Sequence, residues 1–451
     1  MTHLLTRLDR AAGGLAADLA LYLISAAFAA ITALTSTLLP HRAWGAIAAW
    51  AYAVATVVVI TQLTLRTRFP EVAGTRVRAA LAWATWAGAA LLPLLVQSIQ
   101  RAGGRTDRAQ EEVLVVEHMG ARLLDDGTPY LGRSAIAGLP LDERLMGYSP
   151  YQPAMSVFGL PKAVLGDFWW TDARIWFAAA TAAALLTAIH LLRPGHSVHS
   201  APSQSAPSEP GAPYPSSAAG PLGAFPPLLV RAIQAATVVP VCALTLATGG
   251  DDIPVLALCL LALALVATGR FGWAGLAVGA AAAMKLFALP VVAVLVILAI
   301  ADRRARPLLP GALGLPVLVL IAPLLVDPDA LVENVLRFPL GHGLVTSPAQ
   351  SPFPGYLIAQ HAPAGRLVAL GLLLTVAAFI GVRMVRRPPT TAAAASLICG
   401  WGLLAAILLM PTTRFGYVLY PIAFLIWAPA LVLRNHTAGR RPEGDTALYR
   451  L

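Results

Sequence analysis

The chain has 451 residues, of which 58% are hydrophobic and only 12% charged, with a formal net charge of +10. So much apolar surface excludes an ordinary soluble domain, and runs close to the roughly 20 residues that span a bilayer recur along the chain. The positive charge sits in arginines beside those runs, the pattern of a membrane protein oriented by its cytoplasmic cations, so nucleic acid is not an expected partner. The expected fold class is all-α: a polytopic transmembrane helical protein of about twelve spans.

In chain order, the N-terminal unit 1–98 holds three expected spans, at 15–39, 44–65 and 79–98. The opening MTHLLTRLDR lacks a convincing cleavage site, so it reads as leading into a first span rather than as a signal peptide. Arg66, Arg68, Arg76 and Arg78 place the second turn, and with it the N-terminus, in the cytoplasm. Residues 99–171 are then an external loop.

That loop opens with EEVLVVEHMGARLLDDGTPY at 111–130, a charge-bearing helical pattern in an otherwise oily chain. Val113, Val116, Gly120, Leu123 and Leu124 recur at the spacing of one helical face, with Glu111, His118, Arg122 and Asp125 opposite. At about 100° per residue, Glu117 points within roughly 40° of Val113, and Glu112 lies at the margin of the stripe. A carboxylate facing burial is costly unless it is paired or has a task. Both are candidate catalytic bases, with pairing to a nearby arginine as the plainer reading. Gly127 and Pro129 end the helix, and Tyr130 follows. A second piece, Tyr148-Ser149-Pro150-Tyr151-Gln152-Pro153 and then MSVFGLP, reads as interfacial or re-entrant. Tyr130 and Tyr151 are candidate substrate contacts on this face.

The fourth span, in 172–193, leads to a Ser/Pro/Ala-rich tract at 194–226 that is expected to be a disordered cytoplasmic linker. His196 and His199 within it offer no fixed geometry for a metal. The unit 227–434 holds the remaining spans. Gly249-Gly250-Asp251-Asp252 stands between two of them, where the acids could cap the next helix or bind a cation, capping being the commoner use. The apolar block 271–300 is too long for one crossing and is interrupted by Lys285 and Pro290, so it reads as two short spans turning on the outer side. An ammonium there either snorkels to the interface or meets an anion, and a phosphate or carboxylate partner is the favoured reading.

The Pro-rich stretch 327–363 is expected outside, as a lid or substrate loop, with His342 between two glycines. Arg414, in PTTR at the outer start of the last span, anchors that helix or reaches a phosphate. The tail 435–451 is expected in the cytoplasm. The three cysteines, Cys242, Cys259 and Cys399, lie in apolar spans and suggest neither disulfide nor zinc site. No residue pattern requires a metal or cofactor, and no Gly-rich nucleotide loop is visible.

Several stretches together resemble glycosyltransferase family 87, membrane enzymes of the C superfamily, many of them actinobacterial. They are LLDDGTPY after an acid and a short helix, GGDDIPVLALCLLALAL with GWAGLAVGAAAAMKLFALP, the loop ending SPFPG, and PTTRFGYVLYP. The resemblance runs over about 111–421. It implies a cell-membrane enzyme that moves a sugar, mannose in many members, from a polyprenyl-phosphate donor to a lipid or glycan acceptor hydroxyl on the outer face. It also implies an acid of the first external loop as general base, and counting back from Leu123, Leu124 and Gly127 the matching position is Glu112. The chain has Glu there instead of the usual Asp, and Val116 where Tyr is common, while helical geometry alone favours Glu117. Lys285, Arg414, His342 and Asp251 would complete the donor site. A secondary transporter, or a lipid flippase or scaffold of the envelope, is the alternative. A transporter should bury its charges near the midplane, whereas here they gather at the outer edge.

Overall fold

The computed structural model describes residues 11–193 and 225–432, and among them the chain is helical with no β-strand. Most of the linker and the C-terminal tail lie outside the described residues. Eight described helices are long and apolar enough to cross a membrane, or nine if one bent pair is counted as a span. This is a multi-pass membrane protein. The helices are α1 Leu15–Thr35, α2 Leu39–Leu65, α3 Thr75–Ala102, α4 Glu111–Asp126, α5 Ala173–Leu192, α6 Pro227–Thr237 and α7 Pro240–Thr248. There follow α8 Asp252–Ala267, α9 Phe271–Met284, α10 Leu289–Ala301, α11 Ala305–Val326, α12 Gly365–Arg386, α13 Ala392–Leu409 and α14 Leu419–Val432. The expected total of about twelve counts α8, α9 and α10, which have only 16, 14 and 13 residues.

Proline sets two of the irregularities, and aromatic side chains repair them. Pro93 has no N–H to offer the Ala89 carbonyl one turn back, and α3 widens into a π turn over Ala87–Leu91. The buried Trp44 indole N–H donates to that carbonyl at 2.7 Å. Pro240 likewise divides α6 from α7 with a 42° bend, and Tyr52 Oη donates to the buried Val238 carbonyl at 2.7 Å. In a medium without water such orphaned carbonyls must be met from within.

Helix–helix approach relies on small residues. Gly275 and Gly279 of α9 face Gly311 of α11 so closely that a Cβ on Gly279 would stand 2.0 Å from the Gly311 carbonyl oxygen. This is the small-xxx-small packing used where lipid supplies no hydrophobic drive between helices.

The starts of α1, α3 and α6 share one end of the bundle. There Asp18 accepts from Arg78 Nε at 2.5 Å, Arg231 Nη1 at 2.5 Å and Gln234 Nε2 at 2.8 Å. Arg78 and Arg231 also donate to the Gly13 and Gly14 carbonyls. Arg78, which the sequence offers as a topology signal, thus closes a buried cluster together with Arg231. The segments following α3, α7, α9, α11 and α13 come together at the other end.

Candidate active site

At that other end α4 lies over the bundle. Its N-cap residue Gln110 is fastened to the end of α7 from both directions: Gln110 N donates to Thr248 O at 2.9 Å, and Thr248 Oγ1 donates to Gln110 Oε1 at 2.8 Å. Glu112 therefore projects from the first helical turn, where the helix dipole favours a negative charge. It pairs with Arg414 Nη1, and the two side chains are 14% and 34% exposed. Arg414 precedes a 3₁₀ turn, Phe415–Val418, which carries Tyr417 and leads into α14.

Next to this pair is a buried cluster made by two helix ends. Gly250, at φ +87°, turns the chain after α7 and leads directly into Asp251 and Asp252. At the end of α9, Lys285 takes an extended conformation (φ −153°, ψ 137°) that stops the helix, and its Nζ lies 2.6 Å from Asp251 Oδ2 and 2.6 Å from Asp252 Oδ1. Tyr420 Oη donates to Asp252 Oδ1 at 2.8 Å. The rings of Tyr151 and Tyr417 flank the ammonium with centroids at 5.3 and 5.5 Å. Tyr417 links the two groups of charges: its ring flanks Lys285, and its amide donates to the Arg414 carbonyl at 3.1 Å. Burial pushes the Tyr151 phenol well above its usual value, and the Asp251 carboxylate pushes it the same way, so it remains a neutral donor.

These contacts bear on two sequence readings. Asp251 stands at the N-cap position of α8 but makes no side-chain capping bond; both acids bind Lys285 instead. The lysine has not snorkelled; of the two anions expected for it, phosphate or carboxylate, it meets carboxylates, two of which enclose it. An unpaired ammonium at such a position costs about 3 kcal/mol on insertion scales, and the pairing offsets part of that cost. Two carboxylates and one ammonium leave the cluster a formal −1.

Glu117 belongs to a separate network. It is buried, and Arg101 grips it at both oxygens, at 2.7 and 2.6 Å. Lys162 Nζ at 3.2 Å and the Ala173 amide at 3.3 Å complete its partners. Arg101 also reaches Asp172, the N-cap of α5, which is bound in turn by Arg174 at 2.9 and 2.7 Å. Burial raises the Asp172 carboxyl, but Arg174 and Arg101 outweigh it and hold the group below the usual carboxylate range. The helix face itself is as the pattern suggests for Val113, Val116 and Gly120, whereas Leu124 turns outward.

The remaining expected residues serve other contacts. Tyr130 Oη donates to the Tyr151 carbonyl at 2.8 Å and so positions Tyr151. His342 has an exposed side chain, and its carbonyl accepts from Arg133 at 3.1 Å. It sits in a clasp between the segment that follows α4 and the segment that follows α11, where Glu333 binds Arg133 at 2.8 Å and Tyr148 Oη at 2.8 Å. Burial raises the Glu333 carboxyl, but the Tyr148 hydroxyl and Arg133 hold it below its usual value. Thr413 and residues 349–351 exchange backbone bonds of 3.0 and 2.9 Å, which ties the long loop to the turn that bears Arg414. Sequence reasoning missed Arg101, Asp172, Arg174, Tyr417, Tyr420 and Glu333. The tyrosine spacing in PTTRFGYVLYP and the charges closing α3 and opening α5 were the available signals.

A family model described as glycosyltransferase family 87 matches residues 150–411. Tyr151, Asp251, Lys285 and His342 fall within the match, whereas Glu112, Glu117, Tyr130 and Arg414 fall outside it. No curated protein and no solved structure matches the chain.

Proposed function

Because the chain belongs to glycosyltransferase family 87 and is a membrane glycosyltransferase, we propose that it transfers mannose from a polyprenyl-phosphate donor to a lipid or glycan hydroxyl at the Glu112–Arg414 end of the bundle. The observation that carries this reading is the partly exposed pair of a carboxylate and a guanidinium beside an aromatic-walled, buried ion cluster. The acceptor oxygen attacks the anomeric carbon as the bond from that carbon to the phosphate oxygen breaks. Glu112 receives the hydroxyl proton, a step worth about 10²–10⁴-fold. The bond pair leaves on the polyprenyl phosphate, and Arg414 stabilises that charge with a planar donor pair suited to phosphate. The donor phosphate offers Arg414 an anion in place of Glu112, so donor binding frees the base. Lys285, held by two acids, positions Tyr151 and Tyr417, and Glu117 and Tyr130 position the loop. No residue role here calls for a metal.

Topology completes the proposal. The arginine distribution puts the Asp18 end, both termini and the linker in the cytoplasm of a cell-membrane protein, and the Glu112 end outside. The test is sealed vesicles of known orientation given polyprenyl-phosphate [³H]mannose on one side. Label should enter a new lipid or glycan product only when donor faces the outer side. Labelling from the cytoplasmic side alone, or none with donor and acceptor extracts present on both sides, would overturn the reading.

A further inference from the structure

At the end of the bundle farthest from Asp252, α9 and α11 begin side by side. Their first turns open a cleft of about 350 Å³ whose lining includes Arg270, Gly272, Trp273, Arg304 and Pro307. Arg270 and Arg304 are both exposed, and neither guanidinium has a hydrogen-bond or carboxylate partner among the described residues. The turn into α11 holds one acid, Asp302, against Arg303, Arg304 and Arg306. One turn deeper the cleft is closed, because Gly275, Gly279 and Gly311 bring the two backbones into contact. A ligand must therefore stay at the mouth and continue along the outside of the helices. That outside is apolar: Trp273 is 67% exposed, and Leu276, three residues on and so on the same face, is 42% exposed.

We propose that this cleft binds the phosphodiester headgroup of an anionic phospholipid, with Arg270 and Arg304 on the phosphate and an acyl chain along Trp273 and Leu276. A guanidinium's planar fork matches phosphate oxygens. An exposed indole at the end of a membrane helix lies at headgroup level. A zwitterionic headgroup would bring its own ammonium to the same two arginines, so the site selects net negative charge. Under the proposed topology this is the cytoplasmic leaflet, on the side away from glycosyl transfer.

Native mass spectrometry of the purified protein, with phosphatidylglycerol and phosphatidylcholine of equal chain length, tests the proposal. Wild-type protein should retain phosphatidylglycerol preferentially. R270Q/R304Q should lose about tenfold or more of that retention, at roughly 1 kcal/mol per cation near the surface, and R270K/R304K, which keeps the charge without the fork, should fall between the two. A second readout guards against misfolding. Phosphatidylglycerol with brominated chains should quench tryptophan fluorescence more than its choline counterpart, and the excess should vanish in W273F, which keeps both arginines. Equal retention of the two lipids, full retention by R270Q/R304Q, or no excess quenching would overturn the proposal. Displacement of the lipid by glycerol phosphate would also overturn it, by making this a site for soluble phosphates.

Discussion

Glu112 and Glu117 stand five residues apart on one helix, yet they belong to two regions built on opposite principles. The Glu117 region is saturated: each carboxylate oxygen has an arginine nitrogen, Lys162 and an amide add to them, and Asp172 with Arg174 repeats the arrangement alongside. Nothing there can accept a proton or a ligand without first breaking a buried pair. The Glu112 region keeps capacity in hand. Its carboxylate has one charged partner, that partner is a third exposed, and the neighbouring Lys285 cluster sets two carboxyl groups against one ammonium. Saturated charges hold α3, α4 and α5 in place, and unsaturated ones are where chemistry can occur.

The largest expected effect separates the two acids. Glu112→Gln should lower turnover per folded molecule by about 10²-fold or more while folded yield stays near wild type and donor binds at least as tightly, since the phosphate no longer has to displace a carboxylate from Arg414. If purified, correctly inserted Glu112→Gln turns over fully, the pair with Arg414 is only a fastening. Glu117→Gln should do the reverse. It leaves Arg101 buried without its bidentate anion, which costs about 3–5 kcal/mol of stability, and turnover of whatever protein folds should be unchanged. Normal stability with collapsed turnover would exchange the roles of the two regions.

A smaller contrast lies between the cations. Arg414→Gln should raise the KM for donor by about tenfold or more, the worth of a charge-assisted bond to phosphate. Lys285→Met should raise it less and lower the unfolding midpoint more, since it leaves Asp251 and Asp252 facing each other. A larger KM effect from Lys285 than from Arg414 would move the phosphate to the lysine.

The smallest effect is a pH dependence. The Asp172 carboxyl is held below its usual range in the folded protein, so its stabilisation is fully present above the unfolded value, about 4, and is lost as pH falls through the folded one. Thermal unfolding in detergent should show the midpoint dropping on acidification below about pH 4. Asp172→Asn should start lower at neutral pH and drop less. Parallel curves for the two proteins would mean that the Glu117 region does not carry this stability.

The sequence by itself determined the environment of each charge. Hydropathy and arginine placement are local quantities, so the long spans, the helix at Glu111–Asp126 and the break at Lys285 are legible one window at a time. The same local reasoning marks Glu112, Glu117 and Lys285, because a charge within an apolar pattern is costly wherever the chain goes next. Only the tertiary structure decided what meets that cost. Arg414 is 302 residues from Glu112, Asp251 is 34 from Lys285, and Arg231 is 213 from Asp18. Periodicity gives the direction a side chain faces on its own helix but not which helix stands opposite. Glu117 and Glu112 therefore look alike in sequence and differ in the fold, where the ends of α3 and α5 happen to supply Arg101 and Asp172 to one of them and leave the other open.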